Sequence, residues 1–323
     1  MTAEGRAEGR RPLYVDCDTG IDDALALCYL VASPEIELVG IGTVSGNVSS
    51  ALAARNTLDL LALAGASCPV AVGAAHPLAG RFTEGAAHVH GDDGLGNHPL
   101  PAAGTEPVEG DAADLLIALA HEWGGELRIL AIGPLTNLAE ALRREPRLPQ
   151  LVREVTIMGG AALVPGNISP VAEANIGNDP EATAIVLAAA WPVTLVPLDV
   201  TLSNPLLEGD RMRLLDSGRP VATALGGMLD FYFDFNATFY GERRSALHDP
   251  LAAAIAVGAV VPAVAPRVHV VVDATDGPGR GQTICDLRGR FLGFPDQPDA
   301  HVRVVLSLTD DFAPHLLERL LAL

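Results

Sequence analysis

Through the first two thirds of the chain, apolar runs of strand length alternate with segments of helical period. The runs Leu13 to Cys17, Glu37 to Thr43, Pro69 to Val72, Leu127 to Ile132, Glu154 to Met158 and Val193 to Pro197 read as strands. Between them, Asp22 to Ala32, Ser50 to Ala64, Ala112 to Glu122, Leu135 to Arg144 and Pro180 to Ala190 read as helices, the last opening on a first-turn proline. This alternation predicts an α/β fold with an open, mostly parallel but mixed sheet, flanking helices and a Rossmann-like core. Two long loops, Gly73 to Asp111 and Gly160 to Asp179, interrupt it and exceed ordinary connections, as lids and binding loops do. The last third predicts helices at Val221 to Tyr240 and Asp249 to Gly258, strands near Val268 to Val272 and Val302 to Ser307, and a terminal helix from Asp310. No linker or repeat appears, so residues 11–323 are expected to form one domain behind a disordered polar tail, residues 1–10.

Polar clusters follow the strands: Ser45-Gly46-Asn47, then Gly133-Pro134-Leu135-Thr136-Asn137, then Gly159-Gly160. In a parallel sheet the carboxyl ends of the strands form the ligand crevice, so these clusters should converge. The first strand end is the most charged. Asp16, Asp18, Asp22 and Asp23 fall within eight residues, where a strand gives way to a helix. A helix N-terminus offsets only about 0.3–1 kcal/mol of one carboxylate's charge, too little to hold four together. An oxygen-ligated hard cation, calcium or magnesium, would supply the rest.

Composition narrows the partners. The chain is 49 % hydrophobic but only 4 % aromatic, which predicts an aliphatic core. A formal net charge of -19 opposes binding to nucleic-acid backbones and acidic membranes. Cys17, Cys28, Cys68 and Cys285 follow no paired spacing, so free thiols and a reducing cytoplasm are expected. The polar start carries no signal-length apolar segment. The uncharged stretches Ala182 to Leu198 and Leu251 to Pro266 are short and contain prolines, so buried helix and strand pieces fit them better than membrane spans.

Two further groups carry chemistry. Leu247-His248-Asp249-Pro250 sets an imidazole beside a carboxylate before a helix, where His can deliver a proton and Asp can close a metal shell. A histidine followed by a capping aspartate and a first-turn proline is also an ordinary helix start. The loop from Gly166 to Pro180 offers Asn167, Glu173 and Asn175, donors and acceptors suited to sugar hydroxyls. An Asn/Gly-rich turn region is the plainer reading of that loop.

Taken together, these groups closely resemble the inosine-uridine preferring nucleoside hydrolase family. Asp16-x-Asp18-x-x-x-Asp22-Asp23, Ala131-Ile132-Gly133-Pro134-Leu135-Thr136-Asn137, Met158-Gly159-Gly160, Glu173-x-Asn175 and His248-Asp249-Pro250 stand in the family's order and spacing, over about Leu13 to Leu323. The resemblance implies a nucleoside hydrolase-like fold and calcium-dependent cleavage of ribonucleosides to free base and ribose. It implies calcium ligation by Asp18, Asp23, Asp249 and the main-chain carbonyl of Ile132. Asp18 would also deprotonate the metal-bound water, and Asn47 would orient that water. Asp22, Asn167, Glu173 and Asn175 would hold the ribose hydroxyls, with Asp16 supporting the site from behind. His248 would protonate the leaving base, and His88 and His90 would lie in a lid near the base. A homodimer or homotetramer is also implied. Ala174 stands where an aromatic is frequent. Two other readings compete: a sugar-binding or ribosyl-directed relative without this activity, and a magnesium-dependent haloacid-dehalogenase-like phosphatase with Asp16 as nucleophile.

Overall fold

The computed structural model describes residues 9–323. Of the expected polar tail, residues 1–8 lie outside the described residues. Strand β1 (Arg11–Cys17) lies at the centre of an eight-stranded sheet. On one side it pairs in parallel with β2 (Ile36–Thr43), which carries β3 (Val70–Val72) outside it. On its other side stand β4 (Leu127–Ala131), β5 (Val152–Met158) and β6 (Val193–Val196), all parallel. The order 3-2-1-4-5-6 is that of a doubly wound dinucleotide-binding sheet, whose strand order reverses between β1 and β4. A seventh strand, Val302–Val304, returns from the far end of the chain and adds in parallel to β6. Arg267–Val268 closes that edge as the antiparallel member, which makes the sheet mixed as expected.

Both faces of the sheet are covered, which is why Leu13, Tyr14 and Val15 follow one another as apolar residues, all fully buried. Leu13, Val15 and Cys17 enter one hydrophobic cluster and Tyr14 the other, as the two-residue period of a strand requires. Helix α1 (Ile21–Val31) is buried along almost its whole length. It packs against helices Pro220–Tyr240 and His248–Ala256 and against α2 (Ser50–Leu63), so its all-round hydrophobicity reflects enclosure on every side.

Element positions follow the sequence reading to within a residue or two for the core. The last third departs from it. The expected strand near Val268 to Val272 is two pieces, since Val270–Val272 leaves the sheet to pair with Thr283–Cys285 as a hairpin. A second hairpin, Pro205–Leu207 with Arg244–Ala246, joins segments forty residues apart and brackets the long helix. Such three-residue strands carry no periodic signal, and only their long-range partners define them. The four cysteines are free thiols, and among the described residues no helix is long and apolar enough to cross a membrane.

Because α1 is enclosed on all sides, Leu25→Ala should leave a cavity that cannot collapse and cost about 2–5 kcal/mol. Denaturant unfolding at unchanged m-value would read this directly, and a cost under about 1 kcal/mol would mean α1 is not central to the core.

Candidate active site

The chain leaves β1 at Cys17 and enters α1 at Ile21 through a turn closed by Asp23, whose carboxylate reaches back to the main chain. Its Oδ1 accepts from Asp18 N at 3.2 Å and its Oδ2 from Gly20 N at 2.8 Å. The turn after β2 meets this one. Asn47 donates its backbone N–H to Asp18 Oδ2 at 2.7 Å and its side-chain amide to Asp23 Oδ2 at 3.2 Å. Asp18 Oδ1 and Asp22 Oδ1 are buried without any hydrogen-bond partner. Asp249, in the first turn of helix His248–Ala256, completes the cluster. Oxygens of Asp22, Asp23 and Asp249 lie within 4.8 Å of one another.

The expected ligand carboxylates were Asp18, Asp23 and Asp249, whereas the closest trio holds Asp22 in place of Asp18. Asp22 and Asp23 share the first turn of α1, against which the Asp249 helix packs. The free oxygen of Asp18 faces Gly133, past the end of β4, where an added Cβ would stand 3.0 Å from it. Asp18 still feels the charges of Asp23 and Asp22. Ile132 donates its N–H to Asp16 O, and its carbonyl accepts from Asn175 Nδ2 at 3.0 Å. Asp16 sits behind the strand end, holding Tyr14 Oη at 2.9 Å and Asn137 Nδ2 at 3.1 Å. It is fully buried and does not line the cavity, so it is badly placed for the nucleophile that a phosphatase would need.

Electrostatics follows from burial. Removal from water pushes Asp16 up to about 7, against the hydrogen bonds from Asn137 and Tyr14 that pull it down. Burial and the neighbouring Asp22 charge push Asp23 up to about 7. Burial and Asp23 raise Asp18, and burial followed by Asp22, Asp23 and Asp18 raises Asp249. Four carboxylates so enclosed cannot all stay ionised without a counter-charge. Two orphaned oxygens and an all-oxygen donor set suit a hard cation such as calcium.

Beyond the carboxylates opens a cavity of about 470 Å³. Asn167, Glu173 and Asn175 line it from the loop after β5. Glu173 caps the short helix Ala174–Asn178 by accepting from Asn175 N and Ile176 N, and it also takes Gly160 N at 2.9 Å. Burial nevertheless pushes it up to about 7. Asn175 spends its Nδ2 on the Ile132 and Met158 carbonyls. His248 lines the cavity with its Nδ1 at 2.8 Å from Thr201 Oγ1, and burial lowers its pKa while Asp22 pulls it back.

His88 and His90 were expected in a lid. They occupy a one-turn helix, Ala87–His90, packed against helix Pro220–Tyr240. His88 is exposed and meets Phe235 edge-on at 5.6 Å. His90 lines the cavity too, but its Nδ1 accepts from Ile21 N at 3.1 Å and thereby caps α1. The largest omission of the sequence reading is the opposite wall. Tyr232, Phe235, Asn236, Phe239 and Tyr240 recur at helical spacing along one face of helix Pro220–Tyr240 and line the cavity. A signal existed: six aromatics fall within Phe231–Tyr240 in a chain with only 8 Phe, 4 Tyr and 2 Trp.

An acidic crevice at the strand-order reversal of a doubly wound sheet, opening on a cavity with a polar floor and an aromatic wall, has the place and lining of a small-molecule site. Comparison with known proteins is specific. The sequence model of the inosine-uridine preferring nucleoside hydrolase matches residues 13–313. An enzyme of that name from Leishmania major is 35% identical over 308 residues, 93% of this chain and 94% of its own. The probable uridine nucleosidase 2 of Arabidopsis thaliana is 37% identical over 88% of this chain and 85% of its own. The purine-preferring ribonucleoside hydrolase from Gardnerella vaginalis superposes with a TM-score of 0.87 at 32% identity, covering 96% of this chain and 97% of its own. The chain belongs to the inosine-uridine preferring nucleoside hydrolase family and is a hydrolase.

The crowding around Asp18 is itself testable. A methyl group at Gly46 would collide with Asp18 Oδ2. Gly46→Ala should therefore displace that carboxylate and lower turnover by roughly 100-fold with circular dichroism unchanged. Wild-type turnover in this variant would show that Asp18 need not sit where it does.

Proposed function

We propose that this protein hydrolyses the N-glycosidic bond of ribonucleosides to free base and ribose, with calcium as its metal. Its relatives are named for substrates from uridine through inosine to purines, so the proposal is for ribonucleosides as a class. The observation that carries it is a buried carboxylate cluster, with unpartnered oxygens on Asp18 and Asp22, beside a cavity that Asp22 and Asp249 line and whose far wall is aromatic.

In this reading Asp18, Asp23, Asp249 and the carbonyl of Ile132 hold calcium, and Asp22 stands close enough to share in or brace that set. When bound, the ion would hold sugar hydroxyls and lower the pKa of a water. The chain's own residues do the rest. Asp18 is fixed by the Asn47 N–H on one oxygen and free on the other, so it accepts the proton of the attacking water through Oδ1. Glu173 and the free Oδ1 of Asn175 face the ribose together with Asn167 and Asp22. Their negative and dipolar ends stabilise the positive charge that develops on the sugar ring as the bond breaks. The leaving base collects negative charge over the aromatic wall, where His248 supplies a proton from its cavity-facing edge. His88 and His90 border the base from the side.

Free base should appear from inosine or uridine, stop on treatment with a calcium chelator and resume when calcium is restored. Activity that persists in chelator and in Asp23→Ala would exclude the metal role. Asp18→Asn keeps the shape and one oxygen but removes the base, so turnover should fall by roughly 100-fold or more. Near-normal turnover of Asp18→Asn with calcium bound would remove Asp18 from that role. A chain that binds ribose but never releases base would be the non-catalytic relative instead.

A further inference from the structure

The His248 ring is hydrogen-bonded by a residue outside the cavity lining. Thr201 is fully buried at the end of the four-residue helix Leu198–Thr201 that follows β6. A helical threonine ordinarily turns its hydroxyl back to the carbonyl four residues earlier. Here the hydroxyl turns away. Among the described residues its hydrogen-bond partner is His248 Nδ1, at 2.8 Å. Among the described residues the His248 ring makes no other hydrogen bond.

The surrounding backbone is built to hold this pair in register. Leu247 N donates to Asn204 O at 3.0 Å, and Pro205 pairs with Ala246 in the antiparallel hairpin, so the segments carrying Thr201 and His248 are clamped side by side. Asn204 is itself fixed, with Nδ2 on Val200 O at 2.9 Å and Oδ1 taking Phe312 N at 3.2 Å. Asp199, two residues before Thr201, accepts from Ala162 N and Leu163 N at 2.8 Å and 2.7 Å. It thus pins the loop that leads to Asn167. One short helix therefore holds His248 through Thr201 and the start of the Asn167 loop through Asp199.

We propose that Thr201 is a positioning residue for the glycosidic cleavage: its hydroxyl fixes the imidazole of His248 through Nδ1 and so commits Nε2 to the leaving base. The two nitrogens of a histidine are distinct, and the partner of one decides what the other offers. A ring without that partner rotates and exchanges tautomers, and only a fraction of its states presents the correct nitrogen. This inference rests on His248 serving the leaving group, as proposed above.

The test pairs Thr201→Val, which keeps the shape and deletes the hydroxyl, with Thr201→Ser, which restores it. Each is assayed beside His248→Ala on inosine and on p-nitrophenyl riboside, whose leaving group departs without a proton. Thr201→Val should lower kcat on inosine by roughly 10-fold at little-changed KM, spare the nitrophenyl substrate, and recover in Thr201→Ser. Nitrogen-15 spectra of the imidazoles provide a second readout that needs no turnover: the His248 Nδ1 resonance should move in Thr201→Val and return in Thr201→Ser. Equal loss on both substrates, an unaltered rate on inosine, or an unmoved Nδ1 resonance would each overturn the assignment. If His248→Ala itself slows both substrates alike, the leaving-group role of His248 fails. The resonance then decides whether Thr201 still sets the ring.

Discussion

The structure depends on one electrostatic constraint: carboxylates crowded at a single strand-to-helix turn and removed from water. Asp18 and Asp23 are at most 1 % exposed and Asp249 2 %, with Asp22 at 8 % completing the group. Much of the local architecture serves to tolerate this. Asp23 is consumed by the turn itself, Asp18 is half satisfied by the turn after β2, and Asp16 is hydrogen-bonded from behind by Tyr14 and Asn137. What stays unsatisfied is one oxygen each on Asp18 and Asp22.

The fold creates that concentration by topology. The strand-order reversal between β1 and β4 opens a gap at their carboxyl ends, and the parallel arrangement delivers Asn47, Ile132 and the Glu173 loop to the same gap. Asp249 arrives from some 230 residues away because its helix packs on α1. The site is thus a consequence of two packed helix starts facing one set of strand ends. The aromatic wall is added by a separate long helix, far along the chain from the first acidic turn.

How much of this the sequence disclosed depends on the range of the interaction. The strand-to-helix turn is local, so its aspartates and the flanking elements were legible from spacing alone. The sheet was legible because strands buried on both faces leave continuous apolar runs. The close approach of Asp22 to Asp23 and Asp249 was not legible, since it turns on how the helix carrying Asp249 packs against α1. The capping of α1 by His90 joins residues 69 apart, and no pattern announces it. The face formed by Tyr232, Phe235, Asn236, Phe239 and Tyr240 did have a local signal, but aromatic residues at helical spacing ordinarily mean core. Only the cavity shows that this face is a wall. Thr201 lacked any signal at all, because an unremarkable Leu-Asp-Val-Thr turn acquires meaning only beside His248.

The central claim is that this carboxylate cluster is completed by a hard cation, and calorimetric titration of metal-free protein with calcium tests it most directly. The account predicts one ion bound per chain, with a melting temperature that rises as calcium is added, because the ion binds the folded cluster and not the unfolded chain. Asp249→Asn should weaken both effects. Absence of binding heat together with a melting temperature indifferent to calcium, magnesium and chelator would contradict it.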